Sequence, residues 1–356
     1  MPPFLCFDFG YNIGPLNLGI KLMRLLAPSI LLSLTPLFVF ANDEPSESQL
    51  AKQCILNELA AGDESQTLAE VKKKCIQIAD MEKMSAIDKR VIREKVTTNN
   101  PNVITPHKRN YILPVTYMDR PKNTPAARDP NLKGAPLDDL EAKFQLSLKV
   151  PLYQSKSDID QAFYFGFTLQ SYWQLYNNDI SSPFRETNYQ PEVFWMNLLD
   201  DENRLWGDEM GIAIGFEHQS NGRNIPLSRS WNRIYANLFW EHNGLVFSFK
   251  PWYRIPEEEK RNPEDPTGDD NPDIHEYMGH FEFASVYRYE EHEFTVMLRN
   301  NLKSDNKGAV QLDWSFPAWG RLRGYAQYYN GYGESLIDYN QHIERFGVGI
   351  LLTDFL

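Results

Sequence analysis

The chain has 356 residues, 42% hydrophobic and 13% aromatic, with 36 Lys and Arg against 48 Asp and Glu and a formal charge of -12. That hydrophobic share excludes a disordered chain, and the acidic balance argues against a nucleic-acid partner, which would need a basic face. A helical membrane bundle is excluded as well, because no apolar run beyond residue 41 approaches the ~20 residues of a spanning helix.

Lys21 and Arg24 precede an apolar run from Leu25 to Ala41 that carries Pro28 and Pro36 and ends in Val39-Phe40-Ala41. This is the pattern of a secretory signal, with Met23 the natural start and residues 1–22 an upstream extension. Export leaves Cys54 and Cys75 as an even pair in an oxidising compartment, where a disulfide is the expectation. Apolar residues recur around both at three and four spacing, so residues 42–106 read as a short periplasmic segment of helices.

From about residue 110 the period changes. Phe144, Leu146, Leu148, Val150 and Leu152 alternate with polar neighbours, and Phe163, Phe165, Phe167 and Leu169 repeat the pattern. Strict alternation is the mark of a strand with one apolar face, and runs of about ten residues suit a tilted membrane-spanning strand. Twelve such runs are predicted, at about 110–118, 141–153, 162–175, 188–199, 205–220, 232–241, 243–254, 275–289, 292–302, 308–316, 321–330 and 343–355. Connections near 119, 176, 221, 255 and 331 are long, and those near 200, 242, 290 and 317 are tight. An open sheet edge cannot stand in hydrocarbon, so the sheet must close. The predicted fold is all-β, a twelve-stranded antiparallel transmembrane β-barrel over residues 107–356 with short turns in the periplasm and long loops outside. Phe355-Leu356 at the end of the chain is close to the terminal aromatic of such barrels.

One face of the fifth run breaks its own rule. Met210, Ile212, Ile214 and Phe216 face lipid, yet His218 and Ser220 continue the same parity, and Asn232 opens the outward series of the next run. Three polar residues thus share the lipid-facing wall at the outer ends of two hairpin-paired strands. A His-x-Ser also occurs by chance, and an aqueous strand end tolerates polar residues. The chemistry that would use all three is acyl transfer, in which serine becomes a nucleophile when a histidine takes its proton, and the histidine needs a third group to hold its tautomer.

The stretch HQSNGRNIPLSRSWNR from 218 to 233 resembles the active-site segment of the outer membrane phospholipase A family, and SSPFRETNY (181–189), KPWY (250–253), DDNPDI (269–274) and GYGESLIDYN (331–340) extend the likeness over the whole barrel. The resemblance implies calcium-dependent hydrolysis of membrane phospholipid acyl esters, of phospholipase A1 and A2 type, with Ser220 as nucleophile, His218 as general base and Asn232 as orienting group. It implies that the backbone N–H of Gly222 meets the oxyanion together with a calcium-bound water. Calcium in an active homodimer would be held by the main-chain oxygen of Arg223, the hydroxyl of Ser228 and, from the neighbouring subunit, the main-chain oxygen at Ser181, with Asp270 matching an acidic ligand of a further site in the monomer. Two positions depart from the family: Leu169 stands where its best-known members have a dimer-steadying glutamine, and Ile225 where they have an aspartate ligand.

Other patterns carry less. HEYMGH (275–280) has one residue too many for a zinc HExxH helix and reads as barrel wall, and the acidic run at Asp269, Asn271 and Asp273 lacks the glycine of a calcium loop at Ile274. His292 and His342 read as solvated or lumenal. The competing expectation is a non-enzymatic structural or pore-forming barrel, against which lumenal side chains such as Tyr164 and Arg233 suggest a filled interior.

Overall fold

The computed structural model describes residues 84–98, 104–119, 124–132, 135–154, 161–199, 205, 209–262, 265–320 and 322–354. The leader read over residues 1–41, the Cys54 and Cys75 pair and the terminal Phe355-Leu356 lie outside the described residues.

Among the described residues, twelve strands form the wall: β1 (Asn110–Asp119), β2 (Leu140–Gln154), β3 (Gln161–Trp173), β4 (Phe184–Leu198), β5 (Glu209–Ser220), β6 (Ser230–His242), β7 (Leu245–Ile255), β8 (Phe281–Tyr289), β9 (His292–Asn300), β10 (Gly308–Trp319), β11 (Leu322–Gly331) and β12 (Ile343–Thr353). Each pairs antiparallel with its neighbours in sequence, and β12 returns to pair with β1 through Phe346 opposite Tyr117 and Val348 opposite Val115. The ring is closed, so no strand offers an unpaired edge to hydrocarbon. Proline marks three register shifts, at Pro114, Pro151 and Pro317, places where the lack of an N–H costs the ladder least.

Parity sorts the side chains as the alternation predicts. On β5, Ile214 and Phe216 are exposed whereas Gly211, Ala213 and Glu217 are buried; on β6, Ile234 is exposed while Trp231, Arg233 and Tyr235 are buried. Aromatic pairs gird both ends of the outer wall, Trp173 against Phe184 near the long loops and Trp240 against Phe247 near the tight turns, the belts expected where a barrel meets the two membrane interfaces.

The interior is filled by ion pairs and rings. Arg185 makes hydrogen bonds of 3.0 and 2.9 Å to the Glu141 carboxylate and one of 2.9 Å to Asp338, and Arg345 reaches both Glu141 and Glu334 at 2.7 and 2.6 Å. Arg233 lies 3.9 Å from the centre of the Trp231 ring, and Tyr164 stacks on Phe194 at 5.3 Å. These contacts leave a lumenal cavity of about 410 Å³, bordered among others by Lys149, Glu192 and Arg299. At the tight-turn end, α1 (Ala86–Thr98) packs Ile87 on Val246 and Val286, donates its Ile87 N–H to Glu241 at 3.1 Å and pairs Glu94 with Lys149 at 2.7 Å. This helix belongs to the same compact unit as the barrel.

Several boundaries differ from the sequence reading. Residues predicted as strand at 275–280 include a short helix, α2 (Ile274–Met278), and the wall resumes only at Phe281. A single helical turn is too short to show a period, and Gly279 at φ +71 stops it. The tight turn expected near 200 falls where residues 200–204 and 206–208 lie outside the described residues. Met210, expected on the lipid face, is buried. The turns at Asn243-Gly244, Glu290 and Gly320 are tight as expected, each with positive φ.

Candidate active site

Strand β5 runs from Glu209 at its tight-turn end to Ser220 at the long-loop end, and β6 returns from Ser230. The register sets His218 directly opposite Asn232 and Ser220 opposite Ser230. The Nδ1 of His218 donates to the Oδ1 of Asn232 at 2.9 Å. That tautomer leaves the Nε2 lone pair free, on the face that also carries Ser220 about 7 Å along the strand. The Ser220 hydroxyl has no hydrogen-bond partner among the described residues; catalytic bonds of this kind commonly close only with substrate present.

The neighbouring ladder is loosened at the same level. Tyr189 pairs with Ser220 and Glu192 with Glu217, so Pro191, with no N–H to give, falls opposite His218 between them. Outward neighbours are apolar: Phe216, Ile234, Tyr189 and Tyr253 are exposed, and Ile255 sits opposite Asn232 on β7. The three polar groups therefore lie in a greasy surround at the outer rim.

Beyond Ser220 the chain turns through a loop ordered by two buried asparagines. Asn221 accepts from the N–H groups of Arg223 and Arg229 at 3.3 and 3.0 Å, and Asn271 accepts from that of Ser230 at 3.0 Å. Gly222 adopts φ +63, and its N–H has no acceptor among the described residues. The Arg223 guanidinium pairs with Asp129 and Glu186 and donates to the Arg185 carbonyl at 2.5 Å, tying the loop to β4.

Ser228 donates to one oxygen of Asp270 at 2.5 Å, while the ammonium of Lys260 pairs with the other. The two side chains that the resemblance associates with calcium are thus in contact. They offer hard oxygen donors, and the carboxylate already attracts a cation, so the donor set fits calcium. No group of three or more His, Cys, Asp or Glu suited to a metal occurs among the described residues. Ser181 is on the loop between β3 and β4, with φ 57.

The other motifs converge on this rim. Glu186 and Asn188 accept from the N–H groups of Ile337 and Leu336, both at 3.1 Å, so the loop after β11 is drawn into the barrel mouth. Asp269 pairs with Arg254 at 2.5 Å and Asp273 accepts from the Tyr339 hydroxyl, which engages two acidic residues of the run that imitates a calcium loop. Trp252 of KPWY donates to the Gly279 carbonyl at 3.1 Å.

The family model for phospholipase A1 matches residues 87–352. The chain belongs to the phospholipase A1 family. Phospholipase A1 of Klebsiella pneumoniae is 37% identical over 276 residues, covering 76% of this chain and 91% of that relative. Among solved structures, outer membrane phospholipase A of Escherichia coli superposes with a TM-score of 0.66 at 35% identity, covering 75% of this chain and 98% of that one. The outer membrane phospholipase of Salmonella typhi, solved as a dimer with bound calcium, gives 0.66 at 36% identity over 75% and 98%. The fold and this membership make the chain an outer-membrane barrel.

One member of the rim was not legible in the sequence. The Nδ2 of Asn232 donates to the Oε1 of Glu257 at 3.0 Å, from a loop whose glutamate run carries no period. Burial, with the negative charge of Asp269 nearby, raises the Glu257 carboxyl above its ordinary value, partly offset by the Asn232 amide and Arg254.

Proposed function

We propose that this protein hydrolyses the acyl esters of membrane phospholipids at the outer leaflet, by a Ser220–His218–Asn232 triad that projects from the barrel wall. The observation that carries this reading is the 2.9 Å bond between His218 Nδ1 and Asn232 Oδ1 on the outward face, two residues from Ser220. A lipid approaching laterally brings its ester carbonyl to the rim, with its chains along Phe216, Ile234 and Tyr253.

Ser220 Oγ attacks the carbonyl carbon as its proton passes to His218 Nε2. Asn232 holds the ring so that Nε2 faces the serine and accepts from Nδ1–H, which steadies the imidazolium. The negative oxygen that forms is met by the Gly222 N–H, which is aligned beforehand by its left-handed backbone. His218 returns the proton to the departing alcohol, leaving Ser220 acylated and lysophospholipid free. Water then attacks the acyl-enzyme, with His218 again taking the proton, and fatty acid leaves. Calcium, when held by Ser228 and the Arg223 main-chain oxygen with Ser181 contributed by a second subunit, supplies positive charge toward that oxygen. A shared ligand would make the homodimer the active form. Activity on both acyl positions and on lysophospholipid belongs to the same proposal.

The test is hydrolysis of defined phospholipids by refolded protein in detergent, with calcium and with chelator, beside Ser220→Ala. The proposal expects calcium-dependent release of fatty acid that the variant lacks; equal rates for both proteins reject the triad.

A further inference from the structure

The hydrogen-bond chain at the rim does not end at Asn232. His218 donates to Oδ1 of Asn232, and Nδ2 of Asn232 donates to Glu257 at 3.0 Å. An amide has one acceptor end and one donor end, so a carboxylate, which only accepts, fixes which end faces the histidine. Without it the amide could turn over and present N–H to an imidazole N–H.

The position of Glu257 is built rather than incidental. Pro256 precedes it at the end of β7 and fixes the local backbone. Of the consecutive glutamates 257–259, Glu257 alone is drawn in, while Glu258 and Glu259 are exposed. The loop stem is closed just beyond: the Asp269 N–H donates to the Glu258 carbonyl at 2.8 Å, and Gly268 at φ +93 lies so close that a Cβ there would meet that carbonyl at 2.8 Å. Lys260 then pairs with Asp270 and donates to the Asp265 carbonyl at 3.1 Å. The stem holds Glu257 over Asn232 from two sides.

We propose that Glu257 is a fourth, positioning member of the site, a carboxylate that orients Asn232 and places negative charge behind the His218 imidazolium through the neutral amide. This rests on the triad reading above. A neutral third member is a weak partner for a cation; a carboxylate one hydrogen bond further back restores part of the missing charge. The charged groups facing Glu257 are Arg254 at the end of β7, and Asp269 and Asp270 from the returning loop, with Lys260 engaged on Asp270.

The experiment measures kcat/KM against pH for the refolded full chain with calcium, comparing parent, Ser220→Ala, Glu257→Gln, Asn232→Asp and the double variant Asn232→Asp with Glu257→Gln. Native barrel formation is checked for each by its gel mobility before and after heating. Glu257→Gln keeps an acceptor oxygen and removes the charge, so the plateau falls roughly tenfold. The acidic limb moves about half a unit to lower pH, because an imidazolium without nearby negative charge loses its proton sooner. Asn232→Asp alone sets two carboxylates side by side and is less active than the double variant, in which the charge has moved one residue closer and glutamine can donate to it. An unmoved limb in Glu257→Gln, or a double variant no better than Asn232→Asp, overturns the proposal. Inactive Ser220→Ala beside indifferent Glu257 variants refutes the role of Glu257 alone; active Ser220→Ala refutes the triad itself.

Discussion

His218 and Asn232 face each other across the β5–β6 ladder, and their side chains meet at 2.9 Å on the lipid side of the wall. The register that pairs their backbones also orients the ring, so the asparagine supplements a geometry that the hairpin partly imposes. His218→Ala is accordingly expected to lower kcat roughly ten-thousandfold, and Asn232→Ala roughly tenfold. Steady-state rates on one phospholipid decide it; the reverse order would give Asn232 a different task.

Gly222 supplies a second prediction through its backbone. At φ +63 a side chain is strained by about 1 kcal/mol, and a Cβ would stand 3.4 Å from the Tyr189 ring. Gly222→Ala is expected to lower kcat with little change in KM. Gly244→Ala has similar φ in a turn at the opposite end, with open space around it, and should leave kcat unchanged. Kinetics on the pair, at matched folded fraction, separate a displaced oxyanion donor from general backbone strain.

Cation binding at the loop follows from the contacts of Asp270. Because Ser228 and Lys260 each engage one of its oxygens, calcium must displace an ammonium. Asp270→Asn is expected to weaken calcium binding roughly tenfold, and Lys260→Met to strengthen it by a similar factor. Titration calorimetry on the protein in zwitterionic detergent reads both directly, apart from turnover. Equal affinity in parent and Lys260→Met would show that the ammonium does not compete.

The lumenal network makes a prediction about stability. Arg185 is wholly buried between Glu141 and Asp338, so Arg185→Met leaves two carboxylates short of a partner and should destabilise the barrel by about 3 to 5 kcal/mol. Denaturant unfolding in detergent measures it. Since Asp338 belongs to the loop held in the barrel mouth, that loop should also become the first site of proteolytic cleavage.

Much of this is legible in the sequence alone. Alternation at Phe144 to Leu152 and at Ile212 to Phe216 fixed which residues face lipid, because the strand period leaves only two choices. The polar interruption at His218, Ser220 and Asn232 stood out against that parity. Glu257 and Lys260 did not, since a loop has no period and their partners are distant in sequence. The helix at Ile274–Met278 was misread as wall for a related reason: its apolar Ile274 and Met278 are buried against the core of the outer mouth, and five residues fit a strand pattern as well as a helical one. Met210 was misplaced because strand parity alone does not settle exposure near a strand end.

The account stands on Ser220 as an acyl acceptor open to the membrane, and covalent trapping tests that most directly. Parent protein with calcium is treated with an alkyl fluorophosphonate, and the modified residue is located by mass spectrometry. The account predicts a single stoichiometric adduct on Ser220, abolished in His218→Ala, with hydrolysis lost in step. Label on another residue, or full hydrolysis by protein labelled at Ser220, would contradict it.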